Sequence, residues 1–214
     1  MQPYRSLLFV PAHKPDWVTK ALRAAPDAII LDLEDAVPDE SKVRARELLA
    51  DEIQEIRETA AHVGAVVRLN SWPSEHAPAE VEAALVADAD VLMIPKVDTA
   101  DELDRLAAVL GYEERRTGVE EGRTALLATL ESAQGLLNTD KIAAAPRVGG
   151  VLAAAARDGD TARSIGFRWT PTGEETLAFR SRTVLACRAA GDRHPVVGLW
   201  QDVKDLEGLR RFAE

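Results

Sequence analysis

The unbroken apolar run Ala28-Ile29-Ile30-Leu31 passes directly into Asp32-Leu33-Glu34-Asp35, and this junction constrains the fold more than any other stretch of the chain. A short β-branched run without polar alternation suits a strand covered on both faces, as in a parallel sheet. Three carboxylates at its C-terminal edge repel one another. They persist there only beside a cation, bound protons or basic groups. Open parallel sheets and closed barrels both place their ligand sites along that edge. A metal site is the first expectation.

The same junction recurs. Ala65-Val66-Val67 runs into Arg68-Leu69-Asn70, Val91–Ile94 into Pro95-Lys96, and Ala125–Leu130 into Glu131-Ser132. Further on, Gly150–Ala156 runs into Arg157-Asp158-Gly159-Asp160, and Val196–Leu199 into Gln201-Asp202. Together these predict one polar mouth built from many strand ends. Strand-like runs begin near Ser6, Ala28, Ala65, Asp90, Thr124, Gly149 and Val196. Amphipathic segments separate them: Lys14–Ala24, Ser41–Val63, Ala77–Ala87, Ala100–Leu110, Gln134–Ala144 and Glu174–Ala190, with Asp205–Ala213 last. Ser41, Thr99 and Thr172 stand where N-caps belong. Gly111 to Gly122 reads as an exposed helix end and loop. Strict strand–helix alternation implies right-handed βαβ units in a parallel sheet. No linker divides the chain, so residues 1–214 read as one domain. A closed (β/α)8 barrel usually needs ~250 residues, and these 214 hold seven units. The residues alone leave an incomplete barrel and an open sheet as alternatives.

The formal net charge of -10 argues against a nucleic-acid partner, which needs a basic face. No run reaches the ~18 apolar residues of a membrane span, and the expectation is a cytoplasmic protein. Arg68 ends an apolar strand and needs partners. It reads either as an ion pair to Asp32 or Glu34 or as a holder of a substrate carboxylate. Asp32 lies deepest and reads as structural. Glu34 or Asp35 could order a metal-bound water, with Lys42 paired to one of them. Lys96 is a rival centre, because a strand-end lysine with a lowered pKa could form a Schiff base with a keto acid. Trp17, Trp72, Trp169 and Trp200 read as packing residues, with Trp72 the one closest to the expected site.

Several stretches resemble the HpcH/HpaI aldolase and citrate lyase β-subunit family. They are Arg5-Ser6-Leu7-Leu8-Phe9-Val10-Pro11, Leu31–Val37 with Lys42 and Ala45-Arg46, and Val67–Asn70. Ile94–Val97, Leu130–Ala133 with Gly135, and Val203–Gly208 support them. The acyl-CoA lyase branch fits best. The resemblance implies a TIM-type barrel, with Mg2+ (Mn2+ as a substitute) and a 2-oxo acid at its C-terminal face. It implies cleavage of citryl-, malyl- or citramalyl-CoA to a 2-oxo acid and an acyl-CoA, with CoA as part of the substrate. Matched residue by residue, Glu131 and Asp160 fall on the metal carboxylates and Arg68 on the substrate arginine. Glu34 and Asp35 fall beside the metal shell, and Arg5 and Lys20 near the CoA phosphates.

Arg157 stands where the family usually carries glycine, which leaves Asp158 as an alternative to Asp160. Members of the family continue with another strand, an Ile-His-Pro segment and a lid that reaches a neighbouring subunit. The expectation is therefore an incomplete barrel in a homo-oligomer, trimer or hexamer. Two rival expectations are a non-catalytic CoA-ester-binding or interaction remnant and a metal-dependent 2-oxo acid aldolase without CoA.

Overall fold

The computed structural model describes residues 1–202 and 204–213; Val203, which opens the Val203–Gly208 motif, and Glu214 lie outside the described residues. Seven strands form one sheet: β1 (Leu7–Pro11), β2 (Ala28–Asp32), β3 (Gly64–Arg68), β4 (Val91–Ile94), β5 (Ala125–Leu130), β6 (Val148–Ala153) and β7 (His194–Val197). They pair in chain order, all parallel. Each crossover therefore advances the sheet in one direction, as in a (β/α)8 barrel. A doubly wound sheet would reverse its strand order at a switch point. Among the described residues β1 and β7 do not pair with each other. The architecture is an incomplete barrel, which resolves the alternatives that strand counting left open.

Side chains alternate across the sheet with period two. Ile29, Leu31, Val67, Leu92, Ile94, Leu126, Ala128 and Val151 face the helices and join the main core. Ala28, Ile30, Val66, Met93, Leu127 and Leu152 face inward, with Phe9 and Tyr4 packed against them. Extending the inner face towards the C-terminal edge reaches Asp32 after Ile30, Arg68 after Val66 and Glu131 after Leu127. Strand register then places Asp32 directly opposite Arg68. The charged mouth is thus the apolar inner face continued past its last covered layer.

The helices are α1 (Asp16–Leu22), α2 (Lys42–Thr59), α3 (Ala77–Val86), α4 (Ala100–Thr117), α5 (Ala133–Leu137), α6 (Thr139–Ala144), α7 (Asp160–Ile165), α8 (Leu177–Ala189) and α9 (Leu206–Ala213). Helix α4 runs through Gly111 and stops at Gly118, whose φ of 78° is the left-handed conformation that favours glycine at a C-terminus. The expected helix over 134–144 breaks at Asn138, whose side-chain amide donates to the Asp98 carbonyl at 2.8 Å. Neither Ser41 nor Thr99 accepts a capping hydrogen bond. Instead the Thr99 hydroxyl donates to Glu102 at 2.9 Å. The six-residue α7 is too short to show helical periodicity in sequence. No helix among the described residues is long and apolar enough to cross a membrane.

One core position conflicts with its surroundings. Glu52 of α2 is 1% exposed, and neither of its carboxylate oxygens has a hydrogen-bond partner among the described residues. Burial, with smaller contributions from Glu55 and Asp51, pushes its pKa up to about 8. The folded state therefore holds a proton that the unfolded chain releases near 4.5. The stability tied to that proton is complete below the unfolded pKa and is lost as pH rises to about 8. We expect wild type to lose up to ~1.4 kcal/mol of stability per pH unit relative to Glu52→Met between about pH 5 and 8. Urea melts of both proteins across that range check this. Parallel pH profiles would show that Glu52 is ionised and paired in the folded chain.

Candidate functional site

The site is organised around Arg68. Its Nε donates to Asp32 Oδ1 at 2.7 Å and its Nη2 to Asp32 Oδ2 at 2.6 Å. The pair is nearly dry, at 12% exposure for the arginine side chain and 0% for the aspartate. The Asp32 carboxylate also accepts from the backbone N–H of Glu34 (2.9 Å) and of Ala36 (3.1 Å). It therefore fixes the turn that carries Glu34 and Asp35. The Phe9 ring lies 5.0 Å from the guanidinium carbon, within cation–π range.

Glu34 is the second buried acid, with Oε1 2.6 Å from Lys96 Nζ and Oε2 3.0 Å from Arg68 Nη1. The arginine contact is an ion pair without hydrogen-bond alignment, since Oε2 lacks a hydrogen-bonded partner. Burial and the Asp35 charge outweigh the two cations and raise the Glu34 pKa. Lys96 has φ 56°, a left-handed conformation that is uncommon for a residue with a side chain. From there its ammonium reaches Asp35 at 3.8 Å and Asp160 at 3.5 Å. Burial opposes its charge, but the hydrogen bond to Glu34 and the three carboxylates raise its pKa. This is the reverse of what a Schiff-base lysine needs.

Glu131 follows β5 on the inner face. Its backbone is held by the next turn: Ser132 Oγ accepts from Gly135 N–H at 2.9 Å and donates to Asp98. A Cβ at Gly135 would lie 2.4 Å from the Val97 carbonyl oxygen, so only glycine lets α5 approach so closely. The Glu131 carboxylate makes no hydrogen bond or ion pair among the described residues. Burial and the neighbouring Glu34 push its pKa up to about 7. Asp160, the first residue of α7, bonds Arg163. Burial works against its ionisation, but Arg163 and Lys96 hold its pKa below the usual range.

Glu131, Asp160, Asp32, Asp35 and Arg68 line one cavity of about 460 Å3, together with Phe9, Arg157, Asp158 and Gln201. No group of three or more metal-ligating side chains forms among the described residues, so a site closed by protein ligands alone does not fit. A hard ion that takes one or two carboxylates and keeps its waters does fit. Glu131 is an unpartnered carboxylate close to ionisation, and Asp160 is the neighbouring acid whose charge it senses.

Three residues singled out in the sequence stand outside the cavity lining. Arg5 precedes β1, at the opposite end of the barrel. Its N–H donates to Asp27 at 2.8 Å, and its side chain is 91% exposed. Lys20 is exposed on α1, with its ammonium 6.0 Å from the Trp17 ring. Neither reaches the cavity. Lys42 is buried but pairs with no carboxylate. Its ammonium donates to the carbonyls of Leu33 and Glu34, both at 3.1 Å, and to Asn70 Oδ1 at 3.0 Å. Glu80, 1% exposed, completes this network by accepting from Asn70 N–H and Nδ2 at 2.8 and 2.6 Å. Glu80 was missed because one acid on an amphipathic helix gives no signal. Trp72 does not line the cavity, whereas Trp169 and Trp200 line a second one with Arg157.

The model of the HpcH/HpaI aldolase/citrate lyase family matches residues 5–214, and the chain belongs to that family. A (3S)-malyl-CoA thioesterase of Cereibacter sphaeroides is 37% identical over 99% of this chain and 68% of its own length. The citrate lyase beta subunit of M. tuberculosis, solved with oxaloacetate and magnesium, superposes with TM-score 0.73 at 28% identity. That match covers 95% of this chain and 82% of that one. A Mycobacterium tuberculosis structure with magnesium, acetoacetate and coenzyme A superposes with TM-score 0.72 at 27% identity, covering 95% and 68%.

The cluster around Lys96 leads to a direct test. Incubation with pyruvate and borohydride, followed by mass spectrometry, should leave Lys96 unmodified, because its carboxylate neighbours keep the amine protonated. A reduced adduct on Lys96 would require a neutral amine there and a different site electrostatics.

Proposed function

We propose that this member of the family is a Mg2+-dependent carbon–carbon lyase. Its substrate is a 3-hydroxy-dicarboxylic acyl-CoA of the citryl-, malyl- or citramalyl-CoA type, and its products are a 2-oxo acid and an acyl-CoA. The observation that carries this reading is the pair Glu131 and Asp160 lining one cavity with Arg68, Glu131 having no partner among the described residues. Solved relatives with magnesium and oxaloacetate, or with magnesium and coenzyme A, support the ligand classes.

Glu131 and Asp160 would hold the ion, which supplies Lewis-acid polarisation of the oxygen on the cleaving carbon. Arg68, rigidly oriented by Asp32, points its remaining donors at developing negative charge. Glu34 positions the Lys96 ammonium, which adds positive charge beside the same cavity. Asp35 lines the cavity without a hydrogen bond among the described residues, and in this reading it would accept the substrate hydroxyl proton. Loss of that proton lets the carbon–carbon bond break. The bonding pair goes to the carbon next to the thioester, which then takes up a proton to give the acyl-CoA.

Thioester hydrolysis is a second reading, favoured by the name of the Cereibacter sphaeroides relative. Products separate the two. A lyase releases a 2-oxo acid and no free thiol, whereas a thioesterase releases CoA thiol and no 2-oxo acid. Release of neither from any of the three CoA esters, with Mg2+ present, would leave the non-catalytic reading.

Mg2+ should raise the melting temperature of the wild type, and Glu131→Gln should remove most of that rise. Scanning fluorimetry against Mg2+ concentration checks this. A rise that persists in the variant would place the ion away from Glu131.

A further inference from the structure

Two cavities meet at Arg157. The larger holds Glu131 and Asp160. The smaller, of about 220 Å3, is lined by Trp169, Trp200 and Asp202, and Arg157 and Gln201 line both. The two indole rings are braced by Phe212, at centroid distances of 5.5 and 5.6 Å. Arg180 lies 4.8 Å from the Phe212 ring on the same cluster. The smaller cavity thus has firm aromatic walls on one side and a guanidinium at its junction with the larger.

The basic side chains around the larger cavity differ in what they already hold. Arg68 is taken by Asp32 and Glu34. Arg163 is taken by Asp160 and by the Asp158 carbonyl. Arg157 is exposed and makes no hydrogen bond or ion pair among the described residues. It is the one lining cation there without an acidic partner among the described residues. Around it stand Asp158, Asp160 and Asp202, which repel an anion unless a planar donor group offsets them. A guanidinium suits that task, since its forked donors match carboxylate or phosphate oxygens.

We propose that Arg157 binds an anionic oxygen group of the substrate at the junction of the two cavities. It would thereby select substrates that carry a second anion beyond the one beside Glu131 and Asp160. The inference rests on the reading that the larger cavity takes a 2-oxo acid and its CoA ester. The anion is either the second carboxylate of a dicarboxylic acid or a CoA phosphate, both of the same hydrogen-bonding chemistry.

Calorimetry in Mg2+ with pyruvate, oxaloacetate and CoA, on wild type, Arg157→Gln and Arg157→Lys, tests this. Arg157→Gln should weaken one ligand about tenfold, the scale of one charge-assisted contact, and Arg157→Lys should recover part of the loss. Selective loss on oxaloacetate, with pyruvate unchanged, identifies the carboxylate. Selective loss on CoA, with both acids unchanged, identifies the phosphate. An unchanged melting temperature confirms that the exposed substitution leaves the fold intact. Equal binding by wild type and Arg157→Gln, or equal losses on pyruvate and oxaloacetate, overturns the role of Arg157 while the proposed function stands. Failure of wild type to bind any of the three overturns both.

Discussion

The bidentate pair between Asp32 and Arg68 is the interaction on which the mouth of the barrel depends. Both residues end strands, and the parallel register sets them side by side at the same height. Desolvating two charges is costly, and such a pair is tolerable only when its geometry is good and its remaining lone pairs are used. Here they are used: the same Asp32 oxygens take the N–H groups of Glu34 and Ala36. Removing either partner would leave a buried, uncompensated charge, a change that typically costs ~3–5 kcal/mol. The pair therefore settles two things at once, the direction of the guanidinium and the path of the loop that carries the next two acids.

That loop is held from behind as well. Lys42 binds the carbonyls of Leu33 and Glu34, and Asn70 links the lysine to Glu80. The loop that carries Glu34 and Asp35 is thus fixed by hydrogen bonds to its backbone, while the Asp35 side chain lines the cavity. Asp32, Glu34, Asp35, Glu131 and Asp160 outnumber the two cations that touch most of them, Arg68 and Lys96. The surplus shows in the raised pKa values of Glu34 and Glu131, where burial is the larger cause and neighbouring acids add to it. An acid surplus of this kind is what the proposed Mg2+ would relieve.

Much of this was legible in the sequence because it follows from period two and from apolar runs that end in charge. The run Ala28–Leu31 fixes β2, and the acids after it must then lie at a strand end. The same logic brings in Arg68 and Glu131, whereas Lys96 shares the parity of the helix-facing Ile94 and reaches the mouth from a backbone turned to φ 56°. Other features escaped because they depend on what lies opposite. Lys42 looked like a carboxylate partner, but its target is backbone carbonyl, which no sequence pattern displays. Arg5 sits in a recognisable motif, yet strand direction puts it at the far end of the sheet. Trp169 and Trp200 are 31 positions apart in sequence, and only Phe212 folding back between them makes one wall of a cavity.

The distribution of cations explains why the two ends of the cavity can serve different purposes. Arg68 is largely buried and Lys96 is ringed by Glu34, Asp35 and Asp160, so most of their charge is balanced within the site, and they respond to a ligand mainly by orientation. A group already balanced by two carboxylates contributes little to distinguishing one anion from two. Arg157, free and at the rim, has the opposite character. It adds little to the fold, and its full hydrogen-bonding capacity is available to whatever enters. Chemistry placed on the preorganised inner residues and selectivity placed on an uncommitted rim residue would let substrate preference change without disturbing the Asp32–Arg68 pair. The rim follows β6 on a loop, where substitutions cost the core least, whereas the pair ends two interior strands and cannot move without them.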